Sequence, residues 1–87
     1  MKEKIIVVLN KTGLHARPAA TLVQTLSKYQ SIIKILKDDF EVDAKSVIGV
    51  MALAAAYGSK LKFIAYGSDE YEAIVAIENL FDSKFGE

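Results

Sequence analysis

The sequence predicts an α+β sandwich, helices gathered on one face of a sheet, in the order β-α-β-β-α-β-α. Three observations carry this expectation. Strand-length runs at Ile5–Leu9, Ile32–Lys37, Phe40–Ala44 and Lys60–Tyr66 alternate with segments whose apolar residues recur every three or four positions. The second and third runs are separated only by Asp38-Asp39, which places a hairpin in the middle of the chain. The 87 residues include 52% hydrophobic residues, with four Phe and four Tyr, enough for one core without disulfides or metals.

Each element has its own warrant. Ile5 to Leu9 is a continuous, β-branched apolar run, which predicts an inner strand. Pro18 to Tyr29 places Ala19, Leu22, Val23, Leu26 and Tyr29 on one stripe, the pattern of an amphipathic helix. The Asp38-Asp39 turn is short, although Asn-Gly or Asp-Gly would fit a two-residue loop better. Ser46 to Tyr57 is expected to be helical, with Ser46 as N-cap, Gly49 as a weak point and Gly58 as the stop. Lys60 to Tyr66 alternates, with Leu61, Phe63 and Ala65 on the face opposite Lys60 and Lys62. Asp69 and Glu72 have the spacing of a capping box ahead of Ala73, Ile74, Ile77, Leu80 and Phe81 in a final helix. No linker, repeat or low-complexity stretch interrupts the pattern, so residues 1–87 are expected to form a single domain.

Composition excludes several classes of function. Eleven basic and eleven acidic residues cancel, so no nucleic-acid or membrane-surface partner is indicated. The longest apolar run, Val50 to Tyr57, is far too short to span a bilayer. The five apolar residues after Met1-Lys2-Glu3-Lys4 are too few for a signal peptide, and with no cysteine present a cytoplasmic protein is expected. One histidine and no cysteine leave no usual set of zinc ligands, so no metal site is expected.

The chemistry concentrates in Thr12-Gly13-Leu14-His15-Ala16-Arg17-Pro18-Ala19-Ala20, which holds the only histidine, arginine and proline of the chain. An imidazole with an ordinary pKa near 6.5 is a nucleophile at neutral pH. A guanidinium two residues later can grip a phosphoryl group through two parallel hydrogen bonds. Proline favours the first turn of a helix, where free amides and the helix dipole attract an anion. Gly13 supplies an unusual backbone angle just before the site. On residues alone, a phosphate site and an ordinary surface histidine ahead of a helix both remain open. Ser46 reads as a plain cap, and Ala20, Val47, Ile48 and Met51 as either helix core or an exposed patch.

Gly13-Leu14-His15-Ala16-Arg17-Pro18-Ala19 resembles the active-site segment of the HPr family, the histidine-containing phosphocarriers of the bacterial sugar phosphotransferase system. Lys45-Ser46-Val47-Ile48-Gly49-Val50-Met51 resembles the regulatory-serine region of HPr proteins from Gram-positive-type bacteria, and the likeness extends over essentially all 87 residues. The resemblance implies an open-faced β-sandwich, a four-stranded antiparallel sheet covered on one face by three helices. It also implies a relay protein and not an enzyme with its own turnover. His15 would accept a phosphoryl group on Nδ1 from phosphorylated Enzyme I and pass it to a sugar-specific Enzyme IIA. The amides of Ala16 and Arg17 would meet the phosphoryl oxygens, and the Arg17 side chain would neutralise their charge. Ser46 would be modified by a serine kinase/phosphorylase, and its phosphorylated form would bind a transcription regulator of catabolite repression. Ala20, Val47, Ile48 and Met51 would dock partners, and the protein is expected to be a monomer.

Four positions depart from the family pattern: Asp38-Asp39 stands where relatives often have Asn-Gly, Ala54 replaces a glycine, and Ala20 stands where relatives often have a bulkier residue. With Ala54 there, the helix after Ser46 is expected to run longer than in relatives. Two alternatives within the same fold are a nitrogen-branch phosphotransferase paralogue and a mainly regulatory binding module that lacks the active histidine. The presence of His15 argues against the second, and the Ser46–Met51 run favours the carbon branch over the first.

Overall fold

A computed structural model describes residues 1–87. The strands are β1 (Lys2–Val7), β2 (Ile32–Lys37), β3 (Phe40–Asp43) and β4 (Lys60–Tyr66), and the helices α1 (Ala16–Leu26), α2 (Val47–Ala52) and α3 (Glu70–Asp82). A 3-10 turn, Lys84–Gly86, follows α3. The strands form one four-stranded sheet in the order β1-β4-β2-β3, antiparallel at every pairing. This is the open-faced α+β sandwich that the element order and the family resemblance imply.

Strand alternation builds the core. Leu61, Phe63 and Ala65 of β4 are buried, and their register partners Ile6, Ile35 and Ile33 are buried beside them. Leu22 and Leu26 of α1 and Ala73, Ile77 and Phe81 of α3 close over this layer. Phe81 meets Phe63 edge-on at 5.6 Å and Phe85 at 4.8 Å, the geometry that aromatic quadrupoles favour. The opposite sheet face is open, with Ile5, Ile32 and Tyr66 exposed. No helix is long and apolar enough to cross a membrane.

Several elements differ from their sequence expectation. β1 is an edge strand, not an inner one, because β4 is its sole neighbour. Its unbroken apolar run reflects one face packed on the core and one left open, where Ile5 and Val7 remain exposed. α1 starts at Ala16, two residues before the proline, and ends at Leu26, short of Tyr29. α2 stops at Ala52 instead of Tyr57, since Ala54 enters the left-handed region at φ 50. The residues after it are pulled back to the sheet, where Gly58 N–H donates to Val8 O at 2.8 Å and Val8 N–H to Ser59 O at 2.9 Å. The Asp38-Asp39 loop does close in two residues, with Lys37 opposite Phe40 and Asp38 at φ 56, a conformation that aspartate tolerates better than most residues.

Asp69 is the N-cap of α3 by position, yet its side chain bonds no helix amide. Its carboxylate instead accepts from Gln30 N–H at 2.8 Å, from Ser31 N–H at 3.0 Å and from the Ser31 hydroxyl, which ties α3 to the loop after α1. Tertiary donors have outcompeted the local cap. Glu70 supplies the local bond, accepting from Gly67 N–H at 3.1 Å.

Candidate functional site

The Thr12–Ala20 segment folds as a tight loop leading into α1. Gly13 has φ 70, and a Cβ there would lie 2.5 Å from Ala55 O, so both conformation and space require glycine. Leu14 N–H then donates to Ala55 O at 2.9 Å, and the buried Asn10 amide donates to Gly13 O at 2.7 Å. The loop is thus braced from below by the segment that the left-handed Ala54 redirects. An α2 running to Tyr57 would not present Ala55 O in this way.

His15 is the N-cap residue of α1, in extended conformation, with no side-chain capping bond. It is exposed, so its imidazole is open to a partner. Its carbonyl accepts from Ala19 N–H at 2.9 Å, the first helical bond. Ala16 and Arg17, the first two helical residues, therefore carry amides without a backbone acceptor, and Pro18, the third, has none to offer. Two free amides and a helix dipole beside an exposed imidazole suit an anion attached to that ring.

The guanidinium of Arg17 is already engaged. Its two terminal nitrogens donate to Phe85 O and to Glu87 Oε2, each at 3.0 Å. Glu87 is held in turn by the Thr12 hydroxyl, 2.7 and 2.9 Å from its two carboxylate oxygens. That hydroxyl is the leading cause, ahead of the Arg17 charge, that keeps the Glu87 carboxyl below its usual pKa. Sequence reasoning missed Phe85 and Glu87, some seventy positions from the motif. The one available signal was an aromatic residue beyond the end of the last helix, Phe85, which is buried.

Ser46 is the N-cap of α2, and its Oγ accepts from Gly49 N–H at 3.0 Å. Val47, Ile48 and Met51 are exposed, Ile48 to 83%, which removes the helix-core reading for all three. Ala20 is half-buried on α1, which packs against α2. The structure thus sets the His15 helix beside the Ser46 helix, although no hydrogen bond links His15 to Ser46.

Comparison with known proteins finds relatives along the whole chain. Residues 2–83 match the family model described as the PTS HPr component phosphorylation site. The chain is 49% identical over 87 residues to the phosphocarrier protein HPr of Treponema pallidum, covering 100% of this chain and 99% of that protein. Among solved structures, HPr from Thermoanaerobacter tengcongensis superposes with a TM-score of 0.97 at 54% identity, over 100% of this chain and 98% of the other. A dimeric form of HPr from that organism gives 0.81 at 54% identity, over 100% of both chains. The fold, the site segment and near-complete coverage at these identities show that the chain belongs to the HPr family, the phosphocarrier relay proteins of the phosphotransferase system.

Proposed function

We propose that His15 is the residue that carries the phosphoryl group, receiving it from a phosphohistidine of Enzyme I and surrendering it to a histidine of a sugar-specific Enzyme IIA. The observation that carries this reading is an exposed imidazole at the N-cap of α1 beside the free amides of Ala16 and Arg17. In each step one N–P bond breaks on the donor ring as another forms on the acceptor ring, so no metal or organic cofactor enters the balance. The neutral imidazole, with a free ring-nitrogen lone pair, is the attacking form. The Ala16 and Arg17 amides receive phosphoryl oxygens, and the Arg17 guanidinium leaves Phe85 and Glu87 to neutralise their charge.

The exposed side chains of Val47, Ile48 and Met51, with Ala20 on the adjoining helix, form the docking patch for both partners. Ser46 lies at the edge of that patch, where a phosphate from a serine kinase would add charge at a helix start without unfolding it. In this form the protein acts on a regulator of catabolite repression. The working state is a cytoplasmic monomer, which sedimentation of the purified protein would verify.

The direct test is incubation with Enzyme I and labelled phosphoenolpyruvate. One acid-labile, base-stable phosphoryl group is expected, as for a phosphoramidate. His15→Ala should abolish labelling without unfolding the chain, because His15 is exposed and makes no side-chain bond. Undiminished labelling of that variant would refute the assignment.

A further inference from the structure

Beside the Arg17 clamp, but not lined by His15, lies a pocket of about 730 Å³ formed by Leu9, Asn10, Lys11, Tyr57, Lys84 and Glu87. Its volume is within the range of small-molecule sites. The phosphocarrier reading uses none of these residues except Glu87.

We propose that this pocket binds a phosphate monoester carried on a ring, with the phosphate at Lys11 and Lys84 and the ring against Tyr57 and Leu9. Lys11 comes from the loop before α1 and Lys84 from the turn after α3, and neither is paired with a carboxylate. The one acid of the lining, Glu87, is already committed to Thr12 and Arg17. Two free ammonium groups match a dianion better than a singly charged carboxylate. Tyr57 and Leu9 are 63% and 43% exposed, offering an aromatic face and an aliphatic edge on which a flat or chair-shaped ring can lie.

Two further features point to a built site. Asn10 is 1% exposed, its Nδ2 is spent on Gly13 O, and its Oδ1 has no hydrogen-bond partner. That oxygen is enclosed and out of a ligand's reach, so Asn10 contributes a rigid floor to the pocket, anchored on Gly13 O. Lys84 and Phe85 are consecutive non-glycine residues in the left-handed region, at φ 55 and 54. Phe85 is buried against Phe81, and this packing holds the strained turn that brings Lys84 to the pocket wall.

The test is an NMR titration of the full chain, in wild-type and His15→Ala forms, with phenyl phosphate as probe. Saturable amide shifts are expected at residues 9–11, 57 and 84–87 in both forms. Inorganic phosphate, which has no ring, and benzoate, which has one charge fewer, should each bind about tenfold more weakly at those residues. The double variant K11Q/K84Q should weaken phenyl phosphate by about tenfold as well, and Tyr57→Ala by about fivefold. Glucose 6-phosphate and AMP then distinguish a sugar from a nucleoside as the ring, the tighter of the two naming the source. Shifts confined to residues 14–19, or equal affinity for phenyl phosphate and inorganic phosphate, would overturn the proposal. Binding by His15→Ala stands or falls independently of the phosphocarrier assignment.

Discussion

Replacing Ala54 with glycine should stabilise the protein, although glycine within a helix would do the reverse. Ala54 is exposed and has φ 50. A left-handed conformation costs a residue with a Cβ roughly 1–2 kcal/mol. Glycine escapes that cost but gives up roughly 0.4–1 kcal/mol through the greater freedom of the unfolded chain. The difference is a net gain of about 0.5–1 kcal/mol. With a urea slope of about 1–3 kcal/mol per M, the unfolding midpoint should rise by about 0.2–1 M. The thermal midpoint should rise by about 4 °C for a chain of this size. If the helix instead ran on to Tyr57, Ala54 would be an interior position and the same change would cost about 1 kcal/mol. The sign of the shift therefore decides between the two backbones. A midpoint that falls, or stays where it was, refutes the left-handed turn and with it the bracing of Leu14 by Ala55.

Arg17→Ala should slow phosphoryl transfer about 10²-fold, the loss of one positioned donor set, while lysine rescues only part because it lacks the planar fork; rapid-quench rates with Enzyme I measure this. Ser46→Ala should lose about 1 kcal/mol of stability with the cap bond to Gly49 and still transfer normally, as urea unfolding and the transfer assay will show. Ser46→Asp should keep the cap yet raise KM for Enzyme I with little change in maximal rate, since the added charge would stand in the proposed docking patch. The Asp69 carboxyl is held below its ordinary 3.8 first by the Ser31 hydroxyl and then by Gln30 N–H. A depressed folded pKa means stability present above the unfolded value and lost as pH falls through the folded one. Unfolding midpoints should therefore drop below about pH 4, and less steeply in Asp69→Asn than in wild type.

Periodicity was sufficient where burial is one-sided and local. Leu61, Phe63 and Ala65 alternate because one face of β4 meets helices, and the stripe Ala19, Leu22, Leu26 marks the buried side of α1. It misled at β1, because an apolar run does not say whether a second strand or open solvent lies beyond. Capping spacing failed at Asp69 because donors nearly forty residues earlier claimed the carboxylate, and no local rule counts such competitors. Composition cannot report a backbone angle, so Ala54 read as a helix former while the chain bent there. The placement of His15, Ala16 and Arg17 at a helix start was legible because that start depends on a few adjacent residues. The tail that holds Arg17 was not, since it arrives through packing of Phe85 on Phe81 at the far end of the chain.

That tail bears on how a relay can run in both directions. A carrier that bound its phosphoryl group tightly would receive it readily and then fail to release it, since ground-state binding deepens the well from which the next step must climb. The free amides of Ala16 and Arg17 provide a fixed attraction that every phosphorylated state of His15 would feel. The guanidinium differs, because Phe85 O and Glu87 already occupy its fork. To meet phosphoryl oxygens it must exchange one set of charge-assisted bonds for another, so its net contribution is the difference between two comparable sets and not the full strength of either. Thr12 stands ready to keep Glu87 in place when Arg17 departs, which limits the cost of the exchange. A site with an unoccupied arginine would favour the loaded form more strongly; under the proposed assignment, an arginine already shared with Phe85 and Glu87 would keep the loaded and empty forms close in energy, which is the condition for passing the group on.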